Sequence, residues 1–219
     1  MLKKKYHIIA WFTILTACAT SPVREKQAVR KLPFYNSADF TPQWIEPSST
    51  GYSAIHSIPA FRFTDQNGET ITEKTVNGKI YVADFFFTAC PGICKRLTAH
   101  LKMVQDSFRN DNHILLLSHS VTPESDSLPR LKQYAKAFAV NDGKWHLLTG
   151  NRDALYRLAR ESYFADEDMG LKKSSHDFLH TENILLIDQH RRIRGVYKGT
   201  ALNDIQNLIA DIKILELEE

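Results

Sequence analysis

The stretch Ile80-Tyr81-Val82-Ala83-Asp84-Phe85-Phe86-Phe87-Thr88-Ala89-Cys90-Pro91-Gly92-Ile93-Cys94 decides the fold. From Ile80 to Phe87 it is apolar or aromatic except at Asp84, a run that fits a strand buried on both faces of a sheet. Ile93, Leu97, Leu101, Val104 and Phe108 then recur four, four, three and four residues apart, the apolar stripe of an amphipathic helix. The helix is expected to start at Cys90-Pro91, with Pro91 in the first turn, where its missing N–H costs nothing.

Upstream, Phe61-Arg62-Phe63-Thr64 and Thr70-Ile71-Thr72 alternate around Asn67-Gly68, which reads as a hairpin. Downstream, residues 114–117 read as a second buried strand, 128–140 as a helix and 145–148 as a third strand. Asn151 is placed to cap a helix over 153–161. Residues 183–187 and 193–197 read as a closing hairpin, and Leu202, Ile205, Ile209, Ile212 and Leu215 as a last amphipathic helix. This order predicts an α/β thioredoxin-like sandwich with an N-terminal β-hairpin extension.

The N-terminus carries different information. Lys3, Lys4 and Lys5 precede a short apolar run and then Leu15-Thr16-Ala17-Cys18. That run is shorter than the roughly 20 apolar residues a bilayer span needs. The segment resembles a lipoprotein signal, with removal of residues 1–17 and lipidation of Cys18. Residues 18–55, rich in Ser, Pro, Thr and charge, are expected to form a tether, and residues 56–219 the domain. Phe34, Tyr35, Phe40 and Trp44 are unusually aromatic for a linker, so part of it is expected to dock.

Losing three lysines and no acidic residue with the signal turns 28 Lys+Arg into 25, against 25 Asp+Glu. A basic cluster interleaved with aromatics is absent from the sequence, so nucleic acid has no electrostatic support as a partner. With Cys18 lipidated, Cys90 and Cys94 are the remaining thiols of an exported chain. Their close spacing suggests redox or metal chemistry rather than a disulfide framework joining distant segments.

At a helix start, unsatisfied N–H groups and the helix dipole favour a thiolate, so Cys90 is expected to be the more reactive sulfur. One helical turn separates it from Cys94, and Cβ atoms so spaced lie roughly 5–6 Å apart. A disulfide or a shared soft metal ion both fit. A third ligand must then come from one of nine histidines. His7 falls in the signal and His56 in the tether, while His100, His113 and His146 read as solvated residues at element edges. His119, after a buried strand, could approach the thiols. His176 and His180 lie in a polar loop before the strand at Asn183, and either could reach them.

Residues 82–94 resemble the signature of the Sco/SenC family. The segments Leu117-Ser118-His119-Ser120-Val121-Thr122-Pro123-Glu124-Ser125-Asp126-Ser127, Trp145-His146-Leu147-Leu148-Thr149-Gly150 and Phe178-Leu179-His180-Thr181 are similar to further family motifs. The resemblance implies a thioredoxin-like domain that binds one copper ion, as Cu(I) or Cu(II), through Cys90, Cys94 and His180. It also implies delivery to the binuclear copper A site of cytochrome c oxidase, with subunit II or another copper acceptor as partner. Gly92, Thr122 and Leu179 stand where the family often has acidic residues, a change expected to alter copper affinity and redox preference.

Two other functions fit the residues. A thiol–disulfide reductase would use Cys90 and Cys94 as a redox pair on partner cysteines and need no histidine. A structural zinc site would use Cys90, Cys94, His176 and His180. The expected location in every case is extracytoplasmic, on the periplasmic side of a bacterial membrane, held there by the lipid.

Overall fold

The computed structural model describes residues 30–165 and 181–218. Cys18, His176, Leu179 and His180 lie outside the described residues.

Five strands form the central sheet: β5 (Ile80–Phe86), β6 (Ile114–Ser120), β7 (Trp145–Leu148), β8 (Asn183–Ile187) and β9 (Ile193–Lys198). They are arranged in the order β7-β6-β5-β8-β9. Strands β5, β6 and β7 are parallel, β8 runs antiparallel to β5, and β9 antiparallel to β8. Two small hairpins precede them, β1 (Phe34–Tyr35) with β2 (Pro42–Gln43) and β3 (Arg62–Thr64) with β4 (Thr70–Thr72). The second turns at Gly68, whose φ of 83° explains a glycine there.

Alternate residues of β5 feed two cores, which is why its sequence reads as an unbroken apolar run. Ile80, Val82 and Phe86 pack against Leu97, Leu101 and Val104 of α1 (Cys94–Ser107), Leu131 of α2 (Leu128–Phe138) and Ile205, Leu208 and Ile212 of α4 (Leu202–Leu217). Tyr81, Ala83 and Phe85 pack with Phe63, Ile71 and residues of α3 (Arg152–Arg157), which continues as a π-helical turn, Leu158–Ser162. Each large apolar side chain sealed this way contributes about 1.5–3 kcal/mol. The thioredoxin-like sandwich with its N-terminal hairpin is the fold expected from the order of elements.

One local expectation needs correction. The helix α1 begins at Cys94, three residues later than expected, because the chain bends at 91–92 before turning into the helix, so Pro91 lies outside it. Part of the segment read as tether docks, as its aromatics suggest: Leu32 and Phe34 are buried, and Arg194 Nη2 donates to Leu32 O (2.7 Å) and its Nε to Pro33 O (3.0 Å). Among the described residues no helix is long and apolar enough to cross a membrane.

Candidate metal centre

Strand β5 delivers its chain to Thr88, Ala89 and Cys90, and α1 starts at Cys94 on the same face of the sheet. Both cysteines are buried and unoxidised, with 8% and 6% of their surface exposed. Helix α1 has no capping side chain: Ile93, at its N-terminal boundary, makes no side-chain hydrogen bond to the helix. Sulfur takes that place instead. Burial alone would raise the Cys90 thiol, but hydrogen bonds from the Cys94 thiol and from the N–H groups of Cys94, Gly92 and Ile93 outweigh it and hold Cys90 below its ordinary value. Burial, then hydrogen bonding to Cys90, push Cys94 up to about 12. The pair is therefore asymmetric, one sulfur poised as thiolate and the other holding its proton.

The floor beneath the pair is polar, and among the described residues Asp84, Ser118, Thr98 and Tyr134 form it. Asp84 projects to the same face as Val82 and Phe86, and burial pushes its carboxyl up to about 7. Ser118 Oγ donates to its Oδ1, and Trp145 Nε1 donates to Ser118 Oγ (2.8 Å), whereas Oδ2 has no hydrogen-bond partner among the described residues. The Thr98 hydroxyl donates to Cys94 O (2.8 Å) and also bonds Tyr134 OH (2.7 Å). Tyr134 in turn lies against Phe86, ring centroids 5.4 Å apart.

Asp126 holds the approach to Cys90. It is fully buried and accepts from Thr88 Oγ1 (2.5 Å), Thr88 N (3.3 Å), Ser120 Oγ (2.6 Å) and Thr122 Oγ1 (3.1 Å). The loop after β6 is thereby fastened to the segment that carries Cys90. Val121 N adds a backbone bond to Phe86 O (2.9 Å). Asp126 is a functional residue that the motifs alone do not single out; its signal in the sequence is an acid surrounded by hydroxyl residues just past a buried strand. Thr122, where an acidic residue was expected, supplies a hydroxyl donor to that same carboxylate.

The histidines separate clearly. His119 is on β6 but faces the α3 side, boxed by Phe85 (5.2 Å), Tyr163 (5.4 Å) and Phe63 (6.0 Å). The structure does not bring it to the thiols, and burial lowers its pKa to about 4. His146 is buried rather than solvated, with Nδ1 2.8 Å from Asp65 Oδ2. His100 Nδ1 bonds Gly199 O (2.7 Å), and His56 Nε2 bonds Ser162 O (2.8 Å), so neither is a free surface imidazole. Among the described residues no His, Cys, Asp or Glu completes a three-ligand group with the sulfurs.

The segment leading into β8 does arrive beside α1. A Cβ built on Gly199 would lie 2.9 Å from Glu182 O and 2.9 Å from Leu97 Cδ1, and Gly199 N donates to Glu182 O (2.8 Å). The chain at residue 182 therefore runs next to the first turn of α1, close in sequence to Cys94.

Comparison with known proteins agrees with this arrangement. The SCO1/SenC family model matches residues 50–215. The SCO1 protein homolog of Bacillus subtilis (strain 168) is 27% identical over 161 residues, spanning 72% of this chain and 82% of that protein. The crystal structure of a SCO1/SenC family lipoprotein from Bacillus anthracis str. Ames superposes with a TM-score of 0.64 at 27% identity, covering 74% of this chain and 95% of that one. The copper-bound structure of Bradyrhizobium japonicum ScoI shares the fold, with a TM-score of 0.57 at 24% identity over 73% of this chain and 99% of its own. A cysteine pair at the end of a buried parallel strand, inside a match that spans most of the sequence, places the chain in the SCO1/SenC family.

Proposed function

We propose that the chain binds one copper ion through Cys90, Cys94 and His180 and passes it to the binuclear copper A site of cytochrome c oxidase, with subunit II as recipient. Copper is the cargo here, accepted and released by ligand exchange. The observation that carries the reading is the sulfur pair at an otherwise uncapped helix start, free of disulfide and fed by backbone N–H groups. Two thiolates select a soft ion such as Cu(I), and an added neutral imidazole accommodates Cu(II). The passage of residue 182 beside α1 supports His180, two residues earlier, as that imidazole. Copper bound to a relative of the same fold supports the choice of metal. A lipoprotein relative supports export, with residues 1–17 removed, Cys18 lipidated and the domain of 56–219 held on the periplasmic side of a bacterial membrane.

The test is a titration of the chain lacking its signal with Cu(I), Cu(II) and Zn(II), in the parent and in His180→Ala, His176→Ala, Cys90→Ser and Cys94→Ser. Each cysteine variant is expected to lose tight copper binding. His180→Ala is expected to lose tight Cu(II) binding yet keep thiol exchange, and His176→Ala to behave as the parent. Equal damage from both histidine variants would instead favour a four-ligand zinc site.

The asymmetry of the two thiols favours a second activity at the same place. The Cys90 thiolate attacks a partner disulfide, forming a mixed disulfide and expelling one partner thiolate. Cys94, on losing its proton, attacks the Cys90 sulfur, which closes the Cys90–Cys94 disulfide and releases the second partner thiol. The partner gains two electrons and the cysteine pair loses two. Reduction of an oxidised acceptor peptide by His180→Ala, without copper, is the expected outcome.

A further inference from the structure

The end of the sheet opposite the cysteines carries an exposed surface that the copper chemistry does not use. Strand β8 runs antiparallel to β5, so Ile187 and Asp188 lie far from Cys90 along the sheet. There Lys31, Leu32, Phe34, Trp44, Tyr52 and Leu217 border a cavity of about 300 Å³. Trp44 and Leu217, 65% and 73% exposed, are the most exposed large hydrophobic side chains among the described residues. Trp44 Nε1 donates inward to Lys31 O (3.2 Å), so the indole shows hydrocarbon outward and its polar atom is already satisfied. Leu217 ends α4 on the same rim. Arg30 and Lys31 flank it, each paired with a carboxylate of the domain, Asp211 (3.5 Å) and Glu46 (2.8 Å), so the rim's charge is balanced.

The chain arrives at this same end. Arg30 is the first described residue, and Cys18 precedes it by twelve residues. Fully extended, such a segment spans no more than about 40 Å. An anchor at Cys18 therefore keeps this face, more than the cysteine end, within reach of lipid. An exposed Trp and Leu on a charge-balanced rim match the headgroup boundary of a bilayer, where aromatic rings sit with their apolar body toward the acyl chains. One indole and one leucyl side chain bind lipid weakly alone, but tethering raises their effective concentration.

We infer that this end of the domain, through Trp44 and Leu217, rests on the lipid bilayer, so that Cys90 and Cys94 face away from the membrane. The inference rests on the reading of Cys18 as the anchor. It adds a second contact that orients the domain, rather than leaving it free on a string.

Tryptophan fluorescence tests it cleanly. Without residues 1–17 the chain keeps Trp44 and Trp145, and Trp145 is 1% exposed. The lipidated chain is placed in phosphatidylcholine–phosphatidylglycerol vesicles with and without brominated acyl chains. Brominated lipid is expected to quench an emission component that Trp44→Phe removes and Leu217→Asp weakens, while acrylamide quenching falls relative to lipid-free protein. Equal emission in brominated and plain vesicles, with Trp44 as open to acrylamide as in solution, overturns the proposal. The same readout on a chain whose residues 1–17 are replaced by a hexahistidine tag, held on nickel-chelating lipid, removes dependence on Cys18. The surface can then fail while the anchor stands, and mass spectrometry of Cys18 decides the anchor separately.

Discussion

The two ends of the central sheet are fastened by different chemistry. At the cysteine end, buried Asp126 is held by hydroxyls and an N–H, and buried Asp84 keeps one oxygen without a partner among the described residues. At the other end, Asp188, Arg192, Arg194 and Glu218 interlock, and Arg192 and Arg194 lie over the Phe34 ring at 4.9 and 4.2 Å. Arg194 also satisfies the backbone carbonyls of Leu32 and Pro33, which ties the N-terminal segment to β9. The difference teaches which end buries its ion pairs. Hydroxyls and an N–H hold the buried acid nearest Cys90, while the ion pairs of that end, Lys198 with Glu182 and Arg152 with Glu124, lie nearer the surface; at the far end the strap is docked by ion pairs that are themselves buried.

The comparison breaks most sharply at Arg194. Its side chain is 5% exposed, between Asp188 and Glu218. Arg194→Met leaves Glu218 without its cation and Asp188 with Arg192 alone, and it strips the Leu32 and Pro33 carbonyls of their donor; loss of one partner from a buried pair costs about 3–5 kcal/mol. A lowered urea midpoint, together with early proteolysis within residues 30–58 and unchanged copper affinity, is expected. A variant that loses copper along with its strap would mean the ends are not independent.

Asp84 sharpens the contrast from the other side through pH. Its carboxyl stands at about 7 folded against 3.8 as the ordinary value. Below 3.8 both states hold the proton and the site costs nothing; between the two values only the folded state holds it, so its contribution to stability falls as pH rises. Above about 7 the buried charge carries the full penalty, at most about 4 kcal/mol at 1.36 kcal/mol per unit. Asp84→Asn is therefore expected to stabilise the protein at pH 8 and leave it unchanged at pH 4. Denaturant unfolding at the two pH values reads this directly, and equal gains at both would show that ionisation is not the cause.

At Asp126 the expected loss is smaller. Asp126→Ala leaves the Thr88 N–H and the hydroxyls of Ser120 and Thr122 without their acceptor, at about 1–3 kcal/mol. The more telling readout is local: the Cys90 segment loosens, and the Cu(II)–thiolate absorption band should shift while far-ultraviolet circular dichroism holds. Asp126→Asn, retaining one acceptor oxygen, should recover part of the band.

How much of this could be read in advance follows from which interactions are periodic. The apolar run at 80–87 and the stripe from Leu97 to Val104 announced strand and helix because burial repeats along them. Parity could also have placed His119: counting by two from Leu117, it shares the α3 side and cannot meet the thiols. The start of α1 was misjudged because Pro91 suits a helix start as well as the turn it occupies. The aromatics from Phe34 to Trp44 signal that the segment docks, but not where, since its partner Arg194 lies more than 150 residues away. Asp126 was hidden for the opposite reason, its partners being small polar residues that look like ordinary loop. The ligand assignment of His180 came from family resemblance alone and lies outside the described residues.

The smallest expected effect tests the departure from family pattern at Thr122. Its hydroxyl donates to Asp126 at 3.1 Å, and its own N–H donates to Ser120 Oγ at 3.1 Å. Thr122→Asp would replace a donor by a second carboxylate facing the first, losing one hydrogen bond and adding repulsion, about 1 kcal/mol together at pH 7. The loss should shrink as pH falls and one of the pair takes up a proton. Added negative charge near the approach to Cys90 should also tighten Cu(II) relative to Cu(I). Paired unfolding curves at pH 5 and 7 check the first expectation, and competition titrations with each copper ion check the second. A carboxylate accommodated without cost and without change in copper preference would mean that this end tolerates charge as readily as the arginine end, and the contrast between the ends would reduce to a difference in packing.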